Sequence, residues 1–363
     1  MNKERMNGMK LKAIKEIISG NMHLLTRTLL FILCSLLFSE AQAASSYDNP
    51  DTIVVARDGT GQFRTVTEAI EVCRAFMDYH KVIYIKKGTY KEKLIIPQWL
   101  QNIELCGEDR DQTIITYDDH ANISMDGSYW PKELKEQLLA MGDRPKLGTF
   151  RSFTVRVDAN NITFKNITIE NNSARLGQAV ALHTQGDRLV FLNCRFLGHQ
   201  DTVYTGMAAT RHLFKDCYIE GTTDFIFGPS VAWFEHCTIH CKADSYITAA
   251  STPQEQAYGY IFNNCIITAA DNVKKVYLGR PWRDYGYTLF MNCELPRQIR
   301  PEGWHHWEKQ REQTARYMEY NNRGEGAQPA ARVAWSRQLT KKEGQQITLQ
   351  QVFQRSDNWN PKQ

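Results

Sequence analysis

Apolar and polar residues alternate along this chain in short runs, and Asn, Asp or Gly closes most of them. Such alternation predicts strands rather than helices. Five runs share one pattern: FLNCRF, FKDCYI, FEHCTI, FNNCII and FMNCEL place Cys194, Cys217, Cys237, Cys265 and Cys293 three residues after a Phe and two before an apolar residue. Successive cysteines lie 23, 20, 28 and 28 residues apart, a variable period in the range of solenoid coils. Similar runs precede them at 52–56, 81–90, 102–108, 113–117 and 161–172. No long helical pattern separates the runs, which argues against βαβ units. The prediction is an all-β, right-handed parallel β-helix with Asn193, Asp216, Asn264 and Asn292 stacked coil on coil. An up-and-down barrel or sandwich would leave the repeat unexplained.

The ends depart from this rhythm. Val66, Ala69, Ile70, Cys73 and Met77 in 63–80 fall at helical spacing, predicting a helix that caps the first coil. Residues 121–148 read as an insertion with a helix at 131–141, either a solvated decoration or a flap over the active face. Beyond Pro301 the composition turns polar, and the segment reads as a tail packed on the outside.

Length allows one large domain or two ordinary ones, and the absence of a clean linker favours a single domain over 44–363. Residues 1–43 read as an export signal: Lys10, Lys12 and Lys15, the apolar run 29–38, then Ala41-Gln42-Ala43. The apolar run is short for a membrane span. This leader carries +3 of the formal net charge of +4, so the remaining chain is nearly neutral. That gives no electrostatic case for nucleic acid as a partner. The expected product is exported, to the periplasm or outside the cell, without membrane attachment and as a monomer. The cysteines of the repeat are expected as buried small apolar residues rather than disulfides. No CxxC pair suggests zinc, and neither metal nor cofactor is expected.

Candidate chemistry concentrates in 198–228, where Asp201 follows Gln200 and Asp224 precedes Phe225 and Phe227. One coil separates the two acids, so a solenoid makes them neighbours. Carboxylates in unequal surroundings can divide into an acid and an anion. Asp224, beside two Phe residues, needs a cation to stay charged, and Arg280 can pair with it two-pronged. Asp201 has no evident partner and would keep its proton for a leaving group. Gln178 and Gln200 offer neutral donors for an oxyanion. Trp282, Tyr204 and Phe227 are candidates for an aromatic ligand-binding face. A serine esterase lacks a G-x-S-x-G motif here; Ser230 in GPSVA is the nearest approach.

The ordered motifs GTYKEKL (88–94), GTFRSFTV (148–155), GQAVALHTQGDR (177–188), GHQDTVYT (198–205), GTTDFIFG (221–228) and YLGRPW (277–282) resemble those of the pectin methylesterases. The resemblance runs from about Thr52 to Pro361 and includes GWHHW and EYNNRGEGA in the tail. It implies a parallel β-helix that removes methyl esters from homogalacturonan (pectin) or its oligomers, releasing methanol. It also implies Asp224 as nucleophile, Asp201 as acid and base, Gln178 and Gln200 as oxyanion donors, Arg280 as partner of Asp224, and Trp282 against a sugar ring. The stretch TAASTPQEQ (248–256), His199 and the 121–148 insertion depart from the family pattern. A pectin lyase, a glycoside hydrolase and a non-catalytic polysaccharide binder are the rival readings, separated by whether methanol is released without chain cleavage.

Overall fold

The computed structural model describes residues 52–76, 80–124, 136, 146–308 and 310–361. The expected leader lies outside these residues, as does the expected helix at 131–141 apart from Glu136. Three parallel sheets form the walls of the solenoid, one of eleven strands and two of seven. Each coil runs from the long sheet to a second wall and then to a third, as in Leu189–Leu192, Arg195–Leu197 and Val203–Thr205. The fold is therefore the expected parallel β-helix, and its coils bury an apolar interior between all three walls.

The repeated Phe forms one continuous column. Phe164, Phe191, Phe214, Phe234, Phe262 and Phe290 stack with ring centroids 5.3, 4.6, 4.7, 4.4 and 4.3 Å apart. Burying each such ring contributes roughly 1.5–3 kcal/mol. Beside the column run unpaired, buried cysteines. The thiols of Cys217, Cys237, Cys265 and Cys293 each donate, at 3.4 Å, to the carbonyl of the Phe one coil earlier. The thiol thus serves as a weak donor as well as a small apolar filler.

The capping helix is shorter than its spacing suggests. Helix α1 spans Val66–Glu71, opened by a capping box between Thr65 and Glu68, and buries Val66, Ala69 and Ile70. It stops at Val72 because the chain is drawn aside: Phe76 adopts a φ of 59° and donates its N–H to the Trp99 carbonyl.

The tail also differs from expectation. Arg316–Tyr320 pairs with Tyr287–Met291 and Arg337–Gln338 follows, so this stretch extends the long sheet rather than lying outside it. Only the last two helices, α2 (Lys341–Gln346) and α3 (Leu349–Phe353), match the expected outer packing. They help bury Val352 and Phe353 in an outer apolar cluster with Leu213, Trp233, Ile261 and Leu289. Arg211, 1% exposed, fastens the end by pairing with Asp187 at 2.6 Å and Asp357 at 2.5 Å. Its guanidinium holds the Asp357 carboxyl far below the usual carboxylate range.

Candidate active site

The chemistry gathers on one corner of the solenoid, where the second wall turns into the seven-stranded sheet that contains Leu182–Thr184, Val203–Thr205 and Ile226–Gly228. On three successive coils that corner carries Gln178, then Gln200 with Asp201, then Asp224. Backbone bonds lock the step between coils: the Asp201 N–H donates to Thr223 O at 3.1 Å and the Ala179 N–H to Gln200 O at 3.1 Å. Both aspartates take left-handed backbone, with φ of 69° at Asp201 and 49° at Asp224. Aspartate tolerates this region better than most residues with a side chain.

Arg280 follows strand Tyr277–Gly279 and reaches back across one coil. Its Nε donates to Asp224 Oδ1 at 2.9 Å and its Nη2 to Oδ2 at 2.6 Å, the two-pronged pairing expected from the sequence. Asp224 is 4% exposed and Asp201 8% exposed. Burial raises the pKa of Asp224, while the bonds and charge of Arg280 pull it back. Burial lifts Asp201 well above the usual carboxylate range, the neighbouring Asp224 lifts it further, and Arg280 opposes only in part. The two acids are therefore unequal: Asp201 is held the further above the usual range, and Asp224 is the one drawn back by a bonded guanidinium.

The side-chain amides of Gln178 and Gln200 are partly exposed and bond to no described residue, which leaves them open to a ligand. Tyr204 is half-buried between Phe150 and Phe227, at centroid distances of 4.8 and 4.7 Å. Trp282 meets Phe227 edge to face at 5.8 Å. Phe227 itself is almost wholly buried, so it forms the floor under Tyr204 and Trp282 rather than an open face.

Two aromatic residues at this centre were not singled out from the sequence. The Arg280 guanidinium lies 4.0 Å from the Tyr246 ring centroid and 3.7 Å from that of Trp307. Such cation–π contacts hold the planar group between two faces. Trp307 belongs to the GWHHW stretch, whose familiar look was the one available signal. Arg311, also unpredicted, donates to the carbonyls of Pro281 and Trp282 at 2.9 Å and so steadies the loop after Arg280. His183 is buried on the same sheet. Among the described residues no cluster of His, Cys, Asp or Glu is arranged to hold a metal.

The pectinesterase family model matches residues 52–130 and 138–356. Pectinesterase 31 of Arabidopsis thaliana is 36% identical over 288 residues, covering 78% of this chain and 86% of the relative. A probable pectinesterase/pectinesterase inhibitor of Brassica napus is 37% identical over 301 residues, covering 79% of this chain and 48% of the relative. The chain thus spans about half the length of that protein and of its Brassica campestris counterpart. Among solved structures, pectin methylesterase from carrot superposes with a TM-score of 0.71 at 32% identity, covering 80% of this chain and 89% of that one. The Erwinia chrysanthemi pectin methylesterase gives 0.70 at 28% identity, covering 86% and 98%. With its model matched across most of the described residues, this chain belongs to the pectinesterase family.

Proposed function

We propose that the protein is an exported carboxylic-ester hydrolase that removes methyl esters from polygalacturonate, releasing methanol and free galacturonate carboxylates. The observation that carries this reading is the pair of unequal buried aspartates, one gripped by Arg280 and the other lacking a cation of its own. An Asp224 oxygen attacks the ester carbonyl carbon while the Gln178 and Gln200 amides donate to the developing oxyanion. As the carbonyl reforms, the bond to the methoxy oxygen breaks, and Asp201 gives its proton to the departing methoxide. Water then attacks the acyl–Asp224 anhydride and passes a proton to Asp201. The sugar acid leaves and gives up its remaining proton to solvent, and both aspartates return to their starting states.

A solved pectin methylesterase complexed with a hexasaccharide, 28% identical to this chain with a TM-score of 0.70, supports an oligomer of uronate as the ligand. Tyr204 and Trp282 would then meet its sugar rings. Export rests on the 1–43 leader, and among the described residues no helix is long and apolar enough to cross a membrane. Residues 44–363 are proposed to act as a single monomeric domain.

Methanol release from highly methylated pectin tests this reading. Asp224→Asn and Asp201→Asn are each expected to lose at least about 1,000-fold in kcat, since each removes a group essential to a step. Both should keep the wild-type circular dichroism spectrum. An active Asp224→Asn would remove the nucleophile, and new reducing ends or unsaturated products would point to chain cleavage instead.

A further inference from the structure

Past the strand that ends at Gly279, residues 303–307 add a short rung to the site sheet. Gly279 bridges in parallel to Trp304, the Leu278 N–H donates to Gly303 O at 2.8 Å, and the His305 N–H donates to Gly279 O at 3.1 Å. Trp304, 1% exposed, turns inward against Phe290 and Tyr317. Alternation along the rung then turns His305 outward, at the register position of Arg280. Its ring meets those of Tyr246 and Tyr277 at centroid distances of 5.5 and 5.4 Å. The two tyrosines stack on each other at 5.3 Å, and Tyr246 is one of the rings that flank Arg280.

Two residues on, Trp307 is held in a strained conformation. Its φ is 64°, a left-handed region that bulky side chains keep only where their surroundings over-determine it. The constraint here is a hydrogen bond: the Trp307 N–H donates to Nδ1 of His305 at 3.0 Å. This turn brings the Trp307 ring to 3.7 Å from the Arg280 guanidinium. To accept the bond Nδ1 must carry no proton, so the imidazole is neutral with its hydrogen on Nε2. One side chain thus supports Tyr246 by ring contact and Trp307 by a hydrogen bond, the two faces between which Arg280 lies.

We infer that His305 is a positioning residue of the aspartate corner: with Nδ1 unprotonated it seats Trp307 and Tyr246 around Arg280, and so keeps the guanidinium on Asp224. This deepens the esterase reading and rests on it, since there the attacking Asp224 must be an anion. Once protonated, His305 turns an N–H toward the Trp307 N–H, and the bond is lost. The charged and titratable groups facing it are Arg280, Arg300, Tyr246 and Tyr277 from neighbouring coils and His306 from its own segment, stacked at 4.7 Å. Burial, then His306, Arg280 and Arg300, hold the His305 pKa below the usual histidine value, so the loss falls on the acid side of neutrality. With its guanidinium slackened, Asp224 then takes up a proton more readily, because burial already favours its neutral form. The two protons are therefore linked, and activity falls with acidification more steeply than one titration allows.

The test measures kcat for methanol release from highly methylated pectin across pH in wild type, His305→Leu and His305→Asn. Asparagine Oδ1 can accept from the N–H two residues on, as Nδ1 does here, and does not titrate. His305→Leu should lower kcat about 10-fold near neutrality and move the acid limb to higher pH. His305→Asn keeps the acceptor and loses the ring contacts, so it should stay within about 3-fold of wild type, with a one-proton acid limb. In a Trp307→Leu background, His305→Leu should cost less than about 3-fold more, because both changes act through Arg280. A second readout needs no turnover: the NMR titration of the Asp224 carboxyl should move to higher pH in His305→Leu and return toward wild type in His305→Asn. Overturning results are an asparagine variant no better than leucine, a leucine variant that leaves the acid limb and the Asp224 titration in place, or losses at 305 and 307 that simply add. If wild type releases no methanol, the esterase reading falls. The Asp224 titration, moved by leucine and restored by asparagine, would still identify His305 as the residue that seats Arg280.

Discussion

Two corners of this solenoid use the same backbone device for opposite ends. Where the long sheet turns into the second wall, Asn166, Asn193, Asp216, Asn264 and Asn292 all take left-handed backbone, with φ between 50° and 56°. Their amides bond along the stack: Asn193 donates to Asn166 at 2.8 Å, Asn292 to Asn263 at 2.9 Å, and Asn321 to Asn292 at 2.8 Å. Where the second wall turns into the site sheet, Asp201 and Asp224 adopt the same backbone region, but their carboxyls are buried and repel each other. One corner satisfies its polar groups locally. The other leaves them dependent on a guanidinium arriving from two coils away, and that dependence is what the proposed chemistry draws on. Stability and the proposed chemistry thus occupy equivalent turns of one repeat, distinguished by a stack of mainly amides and an exposed Asp216 against two buried acids.

The largest effect proposed on this comparison comes from loosening the guanidinium without touching either acid. In Trp307→Leu, Arg280 loses one of the two rings that flank it. At ~0.5–2 kcal/mol for such a contact, kcat should fall by about 10-fold. Arg280 pulls the pKa of Asp224 down, so slackening it lets burial raise that pKa. The acid limb of the kcat profile should therefore move to higher pH, and the alkaline limb, set by Asp201, should follow in the same direction by less, because Arg280 acts on that acid through its charge without a bond. Loss of sugar packing alone would raise KM and leave the acid limb where it was.

The same contrast explains what could be read from the sequence. The F-x-x-C repeat was legible because each coil repeats one inward requirement, so a Phe column and its cysteines appear as periodicity. Asp201 and Asp224 were legible because they lie one coil apart within such a repeat. Arg280 was proposed from its chemistry, since burying Asp224 requires a cation. Trp307 and Tyr246 went unseen because flanking a guanidinium follows no period: Trp307 sits 27 residues after Arg280, in a loop the coil rhythm does not reach. The early stop of α1 was hidden for a similar reason, as the bond from Phe76 to Trp99 is a long-range contact acting on a locally helical pattern. The tail's added strand, Arg316–Tyr320, lacks the Phe and Cys of the repeat, and its apolar Tyr317 and Met318 gave too short a signal.

A smaller effect follows from converting the reactive corner toward the quiet one. Asp201 has a folded-state pKa raised above its unfolded value. The stability it contributes is complete below the unfolded pKa and is lost as pH rises toward the folded one. Asparagine does not titrate, so Asp201→Asn should match wild type in melting temperature near pH 3. It should then pull ahead as pH increases, by about 5 °C near neutrality, while being inactive. A melting temperature that falls below wild type at every pH would mean that the acid stabilises its corner, and the contrast between the two turns would fail.

The smallest effect tests the quiet corner itself. Asn292 both donates to Asn263 and accepts from Asn321, and its φ is 56°. Glycine there removes the bonds but keeps the backbone at ease, whereas alanine removes the bonds and adds a Cβ in a left-handed position. Both variants should be destabilised, with Asn292→Ala about 1 kcal/mol worse than Asn292→Gly in urea unfolding. Neither should change methanol release, because this corner lies across the second wall from the aspartates. Equal losses for the two variants would assign the asparagine stack to hydrogen bonding alone. The left-handed turn would then be a cost that asparagine and aspartate tolerate rather than the reason these residues recur at both corners.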